Sequence, residues 1–236
     1  IDEKNIMKNI TQTNSISKIE EFFYNNDWDP LPFQIESWKA FLNGENGIIQ
    51  VPTGCGKTYA AIMGPLSKIE NPKNNNSVNI LLITPLKALS RDLKNSIQLA
   101  ALHFNKDITV EIRNGDTPPY EKKKQLKKPP NILITTPESL SLLLSNKESN
   151  NLFKELSSII IDEWHELMGS KRGNQCELSL SWIRGNIKNI QIWAMSATIG
   201  NIEEAARAIV GMRGNKPKII NTNIQKEIEI VSVLPE

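Results

Sequence analysis

The sequence predicts an α/β fold in which helices cover both faces of a mainly parallel sheet. Short apolar runs rich in Ile, Leu and Val alternate with longer stretches of helical periodicity, as in parallel strands joined by crossover helices. In such sheets, functional groups gather at the carboxyl ends of the strands. The predicted strands are Gly47–Val51, Val78–Thr84, Ile108–Ile112, Asn131–Thr135, Ser158–Asp162 and Ile190–Met195. The predicted helices between them are Lys57–Ile69, Leu86–Phe104, Tyr120–Leu126, Pro137–Leu144, Asn174–Arg184 and Ile202–Val210.

The two ends of the chain are less regular than this alternation. Residues 1–14 are polar and rich in Asn, and predict a loose lead-in before a helix that starts at Ser15. A second helix, over Phe33 to Leu42, precedes the first strand. We therefore predict a lead-in and helix over residues 1–27, the main α/β domain over 28–214, and a last strand and linker over 215–236.

The composition is that of an ordinary globular protein and excludes several classes. The 236 residues are 39% hydrophobic and 23% charged, with a formal net charge of +2. A nucleic-acid partner therefore has to be argued from local sites instead of from bulk charge. Cys55 and Cys176 are too few for a disulfide scaffold and fit no zinc spacing. No apolar run has the length of a membrane span and the polar start at Ile1 is no secretory signal, so we expect a cytoplasmic location and no membrane partner.

A glycine-rich loop predicts a phosphate site. It follows the strand that ends at Val51 and opens a helix, so its N–H groups and the helix dipole can face phosphate oxygens. Lys57 is expected to reach the β- and γ-phosphates of ATP, and the Thr58 hydroxyl to ligate Mg²⁺. A glycine-rich turn that binds nothing is the alternative, but strand, loop and helix all agree with the first interpretation. The predicted nucleotide contacts are Thr53, Gly54, Cys55, Gly56, Lys57 and Thr58.

Two adjacent carboxylates, Asp162 and Glu163, end an apolar strand that contains Ile159–Ile161. Carboxylates are costly at such a place unless a cation or a reaction uses them. Asp162 is expected to hold Mg²⁺, directly or through water, and Glu163 to orient and deprotonate an attacking water. An N-cap role for Asp162 on the following helix is the alternative. Beside the phosphate loop, we interpret both acids and Lys57 as a catalytic set for phosphoryl transfer.

These two sites and the segments around them resemble the superfamily 2 (DExH-box) helicases. Asp162-Glu163-Trp164-His165 looks like the DExH box, and His165 could then bond a γ-phosphate or the region of Ser196. Phe33-Gln34 lies upstream of the phosphate loop, where that superfamily keeps a glutamine that reads adenine. A segment after the sixth strand matches the motif that couples the ATP site to the nucleic-acid track, namely Ser196, Ala197 and Thr198.

Three further segments match loops of that superfamily that contact a nucleic-acid backbone. Such contacts bind a strand without reading its sequence. Taken singly, a Thr-Pro pair is a common helix start, and it is the order of the segments that favours binding. The predicted contacts are Thr84, Pro85, Lys87 and Arg91 in the first segment, Gly115, Asp116 and Thr117 in the second, and Thr136, Pro137 and Glu138 in the third. The basic run over residues 122–128 either touches a duplex or is a solvated helix face.

Within the superfamily, the DExH box and the run Gly169-Ser170-Lys171-Arg172-Gly173 after it look like the large helicase-related (Lhr) group. Trp164 is similar to the branch associated with a ligase in DNA repair. The phosphate loop departs from the usual pattern at Val51 and Cys55, and the Cys55 thiol is a hypothetical point of inhibition by oxidation. The resemblance implies a RecA-like P-loop domain with ATP and Mg²⁺ as cofactors. Its implied partners are single-stranded or tailed DNA, a second RecA-like domain of the same protein, and repair proteins such as a ligase.

Three functions remain open at this stage. The first is an ATP-dependent DNA helicase, and the second is an RNA helicase or a translocase that does not unwind, because the motor motifs hardly separate these. The third is a nucleotide-gated binding module without catalysis, against which the intact Lys57, Thr58, Asp162 and Glu163 argue. Because ATP in this superfamily lies between two RecA-like domains, we expect these 236 residues alone to hydrolyse it hardly at all.

Overall fold

The computed structural model describes residues 3–74, 76–146, 149–211 and 215–222. Within them, seven strands form one sheet, and every pair of neighbouring strands runs parallel. The strands are β1 (Gly47–Gln50), β2 (Ile80–Ile83), β3 (Val110–Arg113), β4 (Ile132–Thr135), β5 (Ser158–Ile161), β6 (Gln191–Ser196) and β7 (Lys218–Asn221). Their order in the sheet is β3-β4-β2-β5-β6-β1-β7.

Helices cover both faces of the sheet. One face carries α1 (Glu3–Tyr24), α2 (Pro32–Leu42), α3 (Lys57–Leu66) and α4 (Ser90–Phe104). The other carries α6 (Pro137–Leu144), α7 (Ser149–Leu152), α8 (Trp164–Leu167), α9 (Lys171–Asn186) and α10 (Ile202–Val210). A 3₁₀ turn, Pro72–Asn74, precedes β2, and α5 (Pro119–Lys127) follows the edge strand β3. The predicted α/β fold with a parallel sheet is confirmed.

The inner strands are mainly apolar because they are buried on both sides. In β2, Ile80 and Leu82 belong to the apolar cluster under α1–α4, whereas Leu81 and Ile83 belong to the cluster under α6–α10. Successive side chains of a strand point to opposite faces, so a strand covered on both faces needs apolar residues at every position. This explains why the runs of Ile and Leu predicted the strands so closely.

The prediction of a loose lead-in over residues 1–14 is wrong, since α1 begins at Glu3. Its second half is anchored by Ile19, Phe22 and Phe23, which are at most 3% exposed. His103 of α4 adds a polar link, with its Nε2 2.9 Å from the carbonyl oxygen of Lys18. Burial of these apolar side chains holds the second half of α1, which is the part that the sequence predicted from Ser15 onwards.

Three further elements differ from the prediction. The helix expected from Leu86 begins only at Ser90, because residues 87–89 form a turn after Pro85. The short helices α7 and α8 went unpredicted, since four residues are too few to display a helical period. Of the predicted C-terminal segment, β7 pairs with β1, and residues 223–236 lie outside the described residues.

Arg184, near the end of α9, caps the C-terminus of α10. Its guanidinium donates to the carbonyl oxygen of Ile209 in the last turn of that helix. The last carbonyls of a helix have no partner within the helix, and a cation there also suits the helix dipole. Among the described residues, no helix is both long and apolar enough to cross a bilayer.

We predict that Gly47→Ala destabilises the domain by roughly 1–3 kcal/mol, because the inserted methyl group overpacks the sheet. A Cβ at Gly47 would lie 2.2 Å from the carbonyl oxygen of Lys218 and 2.9 Å from the Trp193 ring. Gly185→Ala is the matched control, since a Cβ there meets nothing within 4 Å. Urea unfolding of both variants measures the difference. Equal free energies of unfolding for the two would contradict the close packing of β1.

Candidate nucleotide and nucleic-acid site

The glycine-rich loop lies between β1 and α3, as predicted. Gly54 and Gly56 have φ angles of +74° and +79°, a backbone region that residues with a Cβ rarely adopt. A Cβ on Gly56 would also lie 2.6 Å from Nε2 of Gln34. Both glycines are therefore required by the shape of the loop, and α3 begins directly after them at Lys57.

Gln34 fastens the loop to α2. Its Nε2 donates to the carbonyl oxygen of Gly56 over 3.1 Å, and its Oε1 accepts from the N–H of Leu31 over 2.8 Å. Phe33 is 4% exposed and belongs to the core. Trp28 is more open, at 42% exposed, and its ring lies 5.6 Å from that of Tyr59. The structure thus gives Gln34 a role in holding the phosphate loop, while its reading of adenine stays a prediction.

Lys57 and the two carboxylates meet where β1 and β5 end. The Lys57 Nζ lies 3.4 Å from Oε1 of Glu163, and Lys57 is only 7% exposed. Glu163 has a φ of +43°, so the chain makes a sharp left-handed turn at the residue that carries this carboxylate. Strained backbone of this kind costs free energy and is concentrated at functional sites.

Asp162 is held in an environment that disfavours its charge. Burial raises the pKa of its carboxyl to about 6, and the neighbouring charge of Glu163 adds to the effect. Lys57, a backbone N–H and the Thr84 hydroxyl act in the opposite direction without cancelling it. A carboxylate whose charge is so poorly solvated gains most from a bound cation.

One oxygen of Glu163 is left without a hydrogen-bond partner in the described part of the chain. This atom, Oε2, is buried and lies 3.3 Å from the Nδ1 of His165. That Nδ1 also lies 3.0 Å from Oγ of Ser196 and 3.4 Å from the N–H of Ala197. Because the Ala197 N–H can only donate, we assign the Nδ1 as an acceptor and place the ring proton on Nε2. The Glu163 oxygen then has no donor, as suits a group that would accept a proton from water.

His165 therefore links the acidic pair, Asp162 and Glu163, to the end of β6. The predicted contact of His165 with the Ser196 region is present, through Ser196 and Ala197. Ser196 is fully buried, whereas Thr198 is exposed. The segment Ser196–Thr198 therefore runs from the buried end of β6, beside the acidic pair, to the protein surface.

The phosphate loop and the acidic pair line one cleft of about 240 Å³. Thr58 and Asp162 both line it, and within the described residues there is no group of three or more His, Cys, Asp or Glu that could hold a metal. This set fits Mg²⁺, which commonly binds through one or two carboxylates plus substrate phosphates instead of in an all-protein cage.

The same cleft includes side chains that the sequence analysis missed. They are Leu89, which directly precedes α4, and Asp92, Leu93 and Ser96 on one face of α4. The signal was present in the sequence, because an i, i+3, i+4, i+7 pattern places all four on one side of a helix. The phosphate site therefore has a wall from α4 in addition to the predicted loop.

A larger groove of about 960 Å³ runs between the start of α4 and the segment from β3 to α5. It contains four predicted nucleic-acid contacts, Lys87, Arg91, Asp116 and Thr117. Lys94, Lys124 and the 69%-exposed Tyr120 also line it and were not predicted as contacts, although Lys124 belongs to the basic run. Gly115 lies beneath Lys87, since a Cβ there would be 2.8 Å from the Lys87 Nζ.

The three predicted threonine contacts are buried: Thr117 and Thr136 bond within their own loops, and Thr84 bonds to Asp162. Thr84 and Thr136 are at most 1% exposed and Thr117 is 8% exposed. Thr117 accepts from the N–H of Asn114 over 3.0 Å, and Thr136 caps α6 by accepting from Ser139. Their hydroxyls are therefore not open donors to a strand, as the sequence had suggested. Nor does Pro85 open a helix, whereas Pro137 and Glu138 begin α6 as expected.

Comparison with known proteins agrees with this geometry. The sequence profile of the DEAD/DEAH box helicases matches residues 31–205. The ATP-dependent helicase Lhr-Core of Saccharolobus solfataricus is 36% identical over 202 residues, which are 80% of this chain and 23% of that protein. The Lhr helicase/uracil glycosylase of Escherichia coli is 33% identical over 87% of this chain and 14% of its own length. These relatives confirm the resemblance to the large helicase-related group, and the ligase-associated branch stays a prediction.

Solved structures agree with the sequence comparisons. The Mycobacterium smegmatis helicase Lhr, solved bound to ssDNA and AMP-PNP, superposes with a TM-score of 0.78 at 31% identity, over 86% of this chain and 27% of that one. The DEAD-box protein Mss116p, at a TM-score of 0.74 and 21% identity, shares the fold. The chain thus spans about a quarter or less of the large helicase-related proteins that it matches.

We predict that Asp162→Asn raises the free energy of unfolding of the nucleotide-free domain by roughly 1–3 kcal/mol at about pH 7.5. The folded-state pKa of about 6 exceeds the ordinary value of 3.8, so the ionised carboxylate costs stability above pH 6. That cost fades as the pH falls from about 6 towards 4, and the advantage of the variant fades with it. Urea unfolding across this range measures both effects. Asp116→Asn is the control, because this acid is 74% exposed and an ion pair as open as its contact with Lys87 contributes little to stability. An advantage of Asp162→Asn that is independent of pH would contradict the assignment.

Proposed function

Because this chain belongs to the DEAD/DEAH box helicase family, we propose that it is the ATP-binding motor domain of an ATP-dependent DNA helicase. In this role it would couple hydrolysis of Mg-ATP to movement along single-stranded nucleic acid. The observation that carries the proposal is the meeting of Lys57, Asp162 and Glu163 in one cleft at the carboxyl edge of the sheet. A helicase of the same group, bound to ssDNA and AMP-PNP, superposes on this chain.

The residues of the cleft would divide the work of phosphoryl transfer. The N–H groups of Thr53–Gly56 and the Lys57 ammonium would hold the phosphates of ATP, with Thr58 and Asp162 holding Mg²⁺. When bound, Mg²⁺ would neutralise charge on the phosphates. Glu163 would accept a proton from the attacking water, and its unpartnered buried oxygen supports this assignment. Lys57 is ion-paired with Glu163 in this structure, so ATP would compete for the lysine and free the carboxylate.

Nucleic acid would bind along the groove beside α4. Arg91, Lys94 and Lys124 offer charge to a phosphate backbone, and the exposed Tyr120 offers a ring on which a base can stack. Lys87 is ion-paired with Asp116 at 2.9 Å in this structure and would exchange this partner for a phosphate. His165 would couple this track to the reaction, since it contacts both the acidic box and Ser196–Ala197. Movement of that segment would then change the environment of Glu163.

Further parts of the protein would complete the motor. The proposal includes a second RecA-like domain that closes the cleft and supplies arginine to the transition state, worth about 10³–10⁵ in rate. The proposal extends to a role in DNA repair with a ligase among the protein partners, because Trp164 in the DExH box resembles the ligase-associated branch. A cytoplasmic location near the chromosome follows from the proposed DNA substrate.

Steady-state ATP hydrolysis by the full-length protein tests the proposal. It is measured without polynucleotide, with single-stranded DNA and with single-stranded RNA. We expect strong stimulation by DNA alone. Equal or greater stimulation by RNA would identify an RNA remodeller instead, and the absence of stimulation by either would reject the motor function.

We predict that Lys57→Ala removes nucleotide binding, whereas Glu163→Gln retains binding and stops hydrolysis in the full-length protein. Lys57 would contact the phosphates directly, and Glu163 would act only on water. Titration with a fluorescent nucleotide and a hydrolysis assay separate the two effects. Circular dichroism confirms that both variants are folded. Retained hydrolysis in Glu163→Gln would exclude Glu163 as the base.

A further inference from the structure

An ion pair spans the groove that we assign to nucleic acid. The Nζ of Lys87, just before α4, lies 2.9 Å from Oδ1 of Asp116 in the turn between β3 and α5. Both residues line the groove of about 960 Å³, one from each of its sides. The lysine passes over Gly115, where a Cβ would lie 2.8 Å from its Nζ. The absence of a side chain at residue 115 therefore leaves room for the lysine to reach Asp116.

Hydrogen bonds within the turn fix the backbone of Asp116. Its N–H donates to Oδ1 of Asn114 over 2.9 Å, and the N–H of Asn114 donates to Oγ1 of Thr117 over 3.0 Å. The Thr117 hydroxyl also donates to the carbonyl oxygen of Ile112 over 3.3 Å. Asn114 and Thr117 are buried, so these bonds are shielded from water. The turn therefore presents the carboxylate at a defined place in the groove, although 74% of its side chain is exposed.

A carboxylate at this place conflicts with the binding of a phosphate backbone. The groove attracts anions through Arg91, Lys94 and Lys124, whereas Asp116 repels them. A phosphate that approaches Lys87 also meets a charge that Asp116 already partly neutralises. Closer contact with the lysine has to overcome the repulsion between the phosphate and the carboxylate. The two anions therefore compete for Lys87.

We propose that Asp116 is a competing anion of the nucleic-acid track, which holds Lys87 when no strand is bound and lowers the affinity of the groove for a backbone phosphate. This rests on the proposed function, and it gives Asp116 a role opposite to a direct phosphate contact. Exchangeable phosphate contacts suit a motor, because each contact has to be released as the protein moves along the strand. An ion pair this exposed contributes little to folding stability, so the effect of Asp116 should appear in binding.

The test is binding of a fluorescent single-stranded DNA oligonucleotide to the nucleotide-free, full-length protein, followed by anisotropy over a series of salt concentrations. Asp116→Asn keeps the shape of the side chain and removes its charge. It should tighten binding roughly two- to fivefold at low salt, as expected when an exposed ion pair no longer has to be broken. The gain should shrink as salt screens the charges. Glu111→Gln is the matched control and should change binding less, because this acid lines the same groove and forms no ion pair within the described residues.

Lys87→Ala separates competition for the lysine from general repulsion of the strand. The loss of one phosphate contact should weaken binding and make the slope of log affinity against log salt smaller by about 0.7. In the Lys87→Ala background, Asp116→Asn should tighten binding no more than Glu111→Gln does, because no lysine is left to release.

Each other outcome has a distinct meaning. If the wild-type protein binds no single strand, the proposed function itself fails and the inference fails with it. If the wild type binds and Asp116→Asn binds equally or more weakly, the inference about Asp116 is overturned while the proposed function stands. A gain that persists undiminished in the Lys87→Ala background would mean that Asp116 repels the strand without competing for the lysine, which also overturns the inference. Urea unfolding of each variant identifies any change that comes from misfolding.

Discussion

The arrangement of the cleft depends on holding two adjacent carboxyl groups, Asp162 and Glu163, where water hardly reaches them. Asp162 is 6% exposed, and burial together with Glu163 makes its ionisation unfavourable. Lys57 is the counter-charge. The loop that contains Gly54 and Gly56 places it beside the two acids, at the same edge of the sheet. Gln34 then holds that loop from α2. The contacts of the cleft can therefore be understood as support for a charge that the free domain barely tolerates and that a ligand would relieve.

The sequence predicted the strands and the phosphate site well because each leaves a local signature. Ile80–Ile83 is a short apolar run of the kind that forms strands buried on two faces, and the residues of the phosphate loop, Gly54-Cys55-Gly56-Lys57-Thr58, are adjacent in the chain. It predicted less where the structure depends on distant contacts. The start of α1 at Glu3 lies in a polar, Asn-rich segment that predicted no helix. The spacing of Asp92 and Ser96 places them on one helix face, but only the fold shows that this face meets the phosphate loop.

The predicted nucleic-acid contacts show a second limit of prediction from sequence patterns. Thr84, Thr117 and Thr136 are the residue types that contact phosphates, yet their hydroxyls are buried and shape the loops. Whether a hydroxyl faces inwards is decided by one rotamer and its neighbours, which no spacing reveals. Arg172 shows the converse, since the sequence offers the run from Gly169 to Gly173 only as a family feature, and the structure shows that its Arg172 forms an ion pair with Glu138 in the first turn of α6.

The position of β1 in the sheet has a consequence for how the protein is made. Its two neighbours are β6 and β7, which are synthesised long after it, while β2 to β5 can pair with one another first. Contacts between distant parts of a chain form slowly, and domains fold as they leave the ribosome. The strand that carries the phosphate loop can therefore complete its pairing only after residues 191–221 have been synthesised.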